Sequence, residues 1–131
     1  VEEAEAFVCK RIPHPRDTGP LVLRDVEVVR TTNLGQLIEG SGSATVSFRY
    51  ARQPDAEPVF SVEVSFPASG VPDLEEGPVD RISVAGHEAA LVRPERGAFV
   101  YWSADGFDVA AGGLLSDLPL EDMLAILDST R

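Results

Sequence analysis

Apolar and polar residues alternate with a period of two through SATVSFRY, where Ala44, Val46, Phe48 and Tyr50 interleave with Ser43, Thr45, Ser47 and Arg49. After the polar loop ARQPDAEP the alternation returns in VFSVEVSF, with Phe60, Val62, Val64 and Phe66 on one side and Ser61, Glu63 and Ser65 on the other. Successive side chains of a strand point to opposite faces, so each segment predicts a strand with one buried and one wet face. Two such strands in succession predict an antiparallel sheet. Val22 to Arg30, rich in Val and Leu with charges interleaved, reads as a further strand.

Two hairpins follow. In RISVAGHEAALV, Ile82 and Val84 precede an Ala85-Gly86 turn, and Ala89 and Leu91 come after it. In GAFVYWSADGFDVAAGG, a two-residue turn at Asp105-Gly106 sets Ala104 opposite Phe107, Trp102 opposite Val109 and Val100 opposite Ala111. Directly opposed residues share a face, so Val100, Trp102, Phe107 and Val109 form one apolar surface, with Tyr101, Ser103 and Asp108 on the reverse. The last segment, SDLPLEDMLAILDSTR, has Leu120, Met123, Leu124 and Leu127 at helical spacing behind Pro119, Glu121 and Asp122. Proline and acids suit a helix start, and the apolar stripe needs a sheet to lie on. The preceding hairpin is the expected seat, which would place Trp102 between sheet and helix.

The opening segment, VEEAEAFVCKRIPHP, fits either a short helix, with Ala4, Phe7 and Val8 on one side, or a strand around Phe7 to Arg11. Pro13 and Pro15 end it in both cases, since neither donates a backbone hydrogen bond. TTNLGQLIEGSGS and PASGVPDLEEGP read as loops. The expected fold is therefore α+β: one domain spanning residues 1–131, with an antiparallel sheet of about six or seven strands, a C-terminal helix packed on one face, and the option of a short N-terminal helix.

Composition changes this picture little. With 131 residues, 44% of them apolar and 25% charged, the chain is an ordinary globular length and composition. Charge says more. A formal net charge of −11 repels phosphate backbones and anionic headgroups, so nucleic acid is not an expected partner. No apolar run approaches the roughly 20 residues that span a bilayer. The sequence starts at Val1, and a signal peptide, lipid anchor or membrane helix upstream of it is an expectation compatible with these residues.

Three late motifs carry a family likeness: the Gly turn in SVAGHEAALV, the aromatic-Trp-x-x-Asp-Gly-aromatic hairpin YWSADGF, and the Leu-x-x-Glu-x-x-Leu type of helix in LPLEDML. Over roughly Ile82 to Ser129 the chain resembles a family of extracytoplasmic bacterial domains found in membrane-anchored anti-sigma factors and in lipoproteins. That family is distantly similar to the outer-membrane lipoprotein carrier protein. RIPHPRDTGPLVL departs from the Leu-Pro pair usual near the family's start. The resemblance implies a location outside the cytoplasm, an antiparallel sheet carrying helices, and a binding or sensing role toward a protein partner or an envelope ligand. It brings no catalytic residues. Through the carrier relatives it implies, as an alternative, a lipid or lipidated peptide held between sheet and helix. Phe48, Tyr50, Phe60, Phe66 and Trp102 would line such a site, and the same residues would equally fill a solid core.

Candidate chemistry is sparse. Cys9, His14, Asp17 and His87 with Glu88 could be assembled into a nucleophile, base and orienter, yet no local motif brings them together. Both histidines are expected as solvent-facing turn residues and Cys9 as a structural thiol. Asp73, Glu75, Glu76 and Asp80 offer oxygen ligands without the ladder of a calcium loop, and read as solvated charge. GSGS at 40–43 lacks the lysine of a phosphate loop. No metal, cofactor or enzymatic activity is expected. Tyr101, exposed by alternation beside a turn, is the candidate interface residue.

Overall fold

The computed structural model describes residues 12–30, 43–66, 68, 79–93, 96–104 and 106–131. The opening segment with Cys9, the glycines of GSGS, the acids Asp73, Glu75 and Glu76, and Asp105 lie outside them. The chain forms β1 (Val22–Arg30), β2 (Ala44–Ala51), β3 (Phe60–Phe66), β4 (Val79–Val84), β5 (His87–Val92), β6 (Gly97–Ala104), β7 (Phe107–Leu114) and one helix, α1 (Leu120–Asp128). The fold is α+β, a seven-stranded antiparallel sheet with order β1-β2-β3-β7-β6-β5-β4. Two meanders, β1 to β3 and β4 to β7, are joined where β3 pairs with β7.

Alternation sets one apolar face across all seven strands. Phe48 stands opposite Val62, Val62 opposite Ala111, Ala111 opposite Val100, and Val100 opposite Leu91. Val46, Val64, Val109 and Trp102 form the adjacent row, each at most 2% exposed. The hairpin register of Ala104↔Phe107, Trp102↔Val109 and Val100↔Ala111 is the one the sequence predicts. The β4–β5 turn is also as predicted, with Val84 paired to His87 around Ala85 (φ 51°) and Gly86 (φ 82°). Both central residues are left-handed, the type I′ geometry whose twist matches the flanking strands.

Helix α1 lies on this apolar face, with Met123 and Leu127 in one core cluster with Trp102 and Val109. It begins after the turn at the end of β7, where Asp117 and Leu118 N–H groups both donate to the Leu114 carbonyl at 3.0 Å. It then runs toward β4, the strand its backbone approaches most closely. At the far end the Ala85 N–H donates to Asp128 Oδ1 at 3.0 Å, so the last turn of the helix is tied to the β4–β5 turn. Met123, Ile126 and Leu127 are its buried residues, with Leu120 and Leu124 half-buried. This tether seats the C-terminal end of the helix beside the β4–β5 turn.

A strap from Ile12 to Leu21 covers part of the β1–β3 side. His14 and Arg131 exchange backbone hydrogen bonds at 3.2 Å, and the Ser129 hydroxyl accepts from the backbone N–H of Arg16 (3.1 Å) and Asp17 (2.9 Å). Ile12 is fully buried, and the His14 ring stacks on Phe48 at 5.6 Å between centroids. His14 is therefore not a solvent-facing turn residue, being only 8% exposed. The flanking prolines lock an extended strap against residues 129–131 instead of a loop, which turns the imidazole inward.

Candidate functional site

The five aromatic residues proposed from sequence as a ligand lining all stand on the apolar face. Phe48, Tyr50, Phe60, Phe66 and Trp102 are each at most 3% exposed and belong to one cluster with Val100, Met123 and Leu127. They are seated by specific partners: Tyr50 against Phe60 at 6.0 Å, Phe66 edge-on to Phe107 at 5.7 Å, and Phe48 under His14. Such offset and edge contacts add to the burial each ring already provides. Burial also pushes the Tyr50 phenol well above its usual range, because the charged phenolate would be stripped of water.

Two clefts formed by described residues lie away from Trp102. One of about 400 Å3 opens where the β2–β3 loop, at Pro58 and Val59, meets Gly112–Leu114, with Arg49 and Asp117 at its rim. Phe60 borders it, and the Arg52 guanidinium holds the Asp117 carbonyl at 2.5 Å beside it. A smaller one of about 160 Å3 lies between the strap, at Asp17 and Pro20, and the helix, at Asp122 and Ile126.

The reverse face of the sheet is different. Among the described residues no helix or strap lies across it, and register places its side chains in rows. Glu27, Ser47, Glu63, Ala110, Tyr101, Ala90 and Arg81 stand side by side from β1 to β4. The neighbouring row includes Arg49, Ser61, Gly112, Phe99 and Val92, and on the other flank Thr45, Ser65, Asp108 and Ser103 line up. Tyr101 is half-buried and Phe99 is 41% exposed, so β6 raises two aromatic rings between lanes of small residues on β5 and β7. Gly112 makes this possible. A Cβ there would overlap the Phe99 ring, which lies down on the bare backbone.

Charge on this face is mostly paired. Arg49 bridges Asp25 and Glu27 at 2.5 Å each, and those hydrogen bonds, Glu27 first, raise its already high pKa. Arg81 lies 3.4 Å from Glu88, and the Ser103 hydroxyl donates to Asp108 at 2.5 Å. Glu63 is exposed between Ser47 and Ala110.

His87 is half-buried beside the turn, paired with Val84. Among the described residues no hydrogen bond joins it to a hydroxyl or carboxylate. Glu88 points to the opposite face, and Asp80 pairs with Arg93 at 2.8 Å. Among the described residues no group of three metal-ligating side chains occurs, and no helix is long and apolar enough to cross a membrane. Sequence reasoning found Tyr101 but missed Phe99 and Glu63 as its neighbours on the open face. The signal was present in the alternation of Asp108, Ala110 and Gly112, whose small members mark the floor between taller side chains. Comparison of the chain with known protein families, curated proteins and solved structures finds no match in any of the three.

Proposed function

We propose that this chain is a non-enzymatic binding or sensing domain that works outside the cytoplasm, as part of a membrane-anchored regulator of the anti-sigma-factor type or of a lipoprotein. It contacts a protein partner through the open face of the sheet. The observation that carries this reading is the contrast in aromatic placement. Phe99 and Tyr101 stand in reach of solvent on a face with no covering helix among the described residues, while the other large rings among those residues are packed. Exposed aromatics flanked by small residues give broad contact area at low entropy cost, the usual make-up of an interface centre. The tight seating of Phe48, Tyr50, Phe60, Phe66 and Trp102 weighs toward surface contact over a lipid held between sheet and helix.

Two measurements test it. Alkaline phosphatase fused to the full-length gene product is expected to be active, because that enzyme folds only outside the cytoplasm; an inactive, stable fusion would overturn the location. A photo-crosslinking amino acid at Phe99 or Tyr101 is expected to give a discrete adduct in cells. The same group at Glu121, exposed on the helix, is expected to give none. Equal labelling from all three positions would remove the open face as the binding surface.

A further inference from the structure

Resting on the binding role given to the open face, we infer that the cleft at its β2–β3–β7 end receives one aromatic side chain of the protein partner, its ring stacked on the guanidinium of Arg49. Arg49, Ser61 and Gly112 stand side by side on β2, β3 and β7, and all three line this cleft of about 400 Å3. The next residue of the row is Phe99, whose ring carbons Cδ1 and Cε1 occupy the space a Cβ on Gly112 would take. The cleft therefore begins beside the exposed aromatic of β6 and continues to the end of the sheet, where Gly113, Leu114, Pro58 and Val59 line it. Its walls are held before a partner arrives. The Val59 N–H donates to the Tyr50 carbonyl at 2.9 Å, the Leu115 N–H to the Arg96 carbonyl at 3.0 Å, and the Asp117 N–H to the Leu114 carbonyl at 3.0 Å. Filling a cleft that hydrogen-bonded turns already shape costs little ordering.

Charge selects the occupant. Arg49 is the one base among the described residues that line the cleft, and its Nη1 and Nη2 already donate to Asp25 and Glu27 at 2.5 Å each. Two carboxylates more than neutralise one guanidinium, Asp117 is a further acid in the lining, and the whole chain carries −11. This lining favours no anion, and a cation would meet the guanidinium itself. A neutral ring fits differently. Hydrogen bonds to a guanidinium run in its plane, so the two carboxylates steady that plane without using its faces, on which aromatic rings stack. Pro58, Val59 and Leu114, the last 50% exposed, supply apolar surface for the same ring to bury against. An aliphatic side chain would use that apolar surface and leave the guanidinium idle.

The test uses the whole chain, labelled with nitrogen-15, and three probes: the N-acetyl amides of tryptophan, leucine and glutamate. The tryptophan probe is expected to shift the amides of Ser61, Gly112, Gly113 and Leu114 together with the Arg49 Nε resonance. The leucine probe should bind more weakly, and the glutamate probe should leave these signals in place. Arg49→Lys keeps the charge and lacks the planar group, so it separates stacking from burial; it is expected to weaken tryptophan-probe binding roughly two- to five-fold. Ser61→Leu fills the cleft without touching the Arg49 ion pairs and is expected to abolish the shifts. Unchanged Trp102 fluorescence, read without probe, shows that each variant keeps its core. Undiminished binding by Arg49→Lys, equal binding of the leucine probe, shifts confined to α1 or the strap, or no shifts up to the solubility limit of the tryptophan probe would each overturn the inference. If one of these occurs while Phe99 crosslinks persist, the face remains a binding surface and only the aromatic occupant of the cleft fails. Loss of the crosslinks as well would remove the binding role.

Discussion

Tyr101 and Trp102 are neighbours in sequence on opposite sides of one sheet, and almost everything about them differs. Trp102 is 2% exposed and belongs to one core cluster with Val109, Met123 and Leu127. Tyr101 is half-buried between Ala90 and Ala110, with no element above it among the described residues. The same backbone ladder holds both. A side chain removed from between two layers leaves a void that neighbours only partly close, whereas one removed from the open face leaves room for water. The covered face therefore carries stability, and the open face is free to carry recognition at little cost to the fold.

The sharpest way to break that contrast is a matched pair of truncations followed by urea unfolding. Trp102→Ala is expected to cost about 3–5 kcal/mol, the usual loss for a large buried ring. Tyr101→Ala is expected to cost about 1 kcal/mol or less. Comparable losses would mean that Tyr101 is covered and that the open face is not available to a partner.

Adjacent glycines extend the comparison at a smaller scale. Gly113 is on the covered side, where an added Cβ would sit 2.5 Å from the Val59 carbonyl oxygen, and backbone cannot yield cheaply. Gly112 is on the open side, where the obstacle is the Phe99 ring together with the Ala98 carbonyl at 2.9 Å. Gly113→Ala is expected to destabilise by about 1–3 kcal/mol, as overpacking does. Gly112→Ala should cost less, and adding Phe99→Ala should recover part of it, a non-additivity that thermal unfolding of the double variant measures. Full additivity would show that the ring does not rest on Gly112.

How much of this was legible beforehand follows from what alternation can and cannot encode. A period of two assigns each residue of β2, β3, β6 and β7 to a face, and a two-residue turn fixes register. The pairing of Trp102 with Val109 and the burial of Phe48, Tyr50, Phe60 and Phe66 on one face could thus be read directly. Alternation does not say which strands meet across the sheet. The β3–β7 junction, which puts Glu63 beside Ala110, is a long-range pairing with no local signature. The tether at the end of α1 was likewise hidden. The Asp128 to Ala85 hydrogen bond and the strap placing His14 on Phe48 join residues far apart in the chain.

A pH series reaches the covered face without altering its volume. Burial raises the Tyr50 phenol above its ordinary value near 10. A group whose folded pKa is raised contributes stability that is whole below the unfolded value and is lost as pH climbs through the window above it. Urea stability is therefore expected to fall above pH about 10, by up to roughly 1.4 kcal/mol per pH unit from this one group. Tyr50→Phe should flatten that alkaline slope. An unchanged slope in the Phe variant would mean that ionisation of Tyr50 does not drive the loss.

The smallest effect expected is at Asp128, which joins the covering helix to the sheet. Its carboxylate stands at a helix C-terminus, where the macrodipole disfavours negative charge, and no basic residue occupies the last turn. Against that, Oδ1 accepts the Ala85 N–H at the strained turn. Asp128→Asn keeps an oxygen acceptor and removes the charge, so a gain of a few tenths of a kcal/mol is expected. Asp128→Ala removes the acceptor as well, and should stand about 0.5–1.5 kcal/mol below the Asn variant. Trp102 is the only tryptophan, so its fluorescence reports directly on the covered face. A red shift in Asp128→Ala, with Tyr101 and Phe99 resonances unmoved, would show the helix loosening from one side of the sheet while the other stays as it was. Movement of both would mean that the two faces are coupled through the sheet rather than independent.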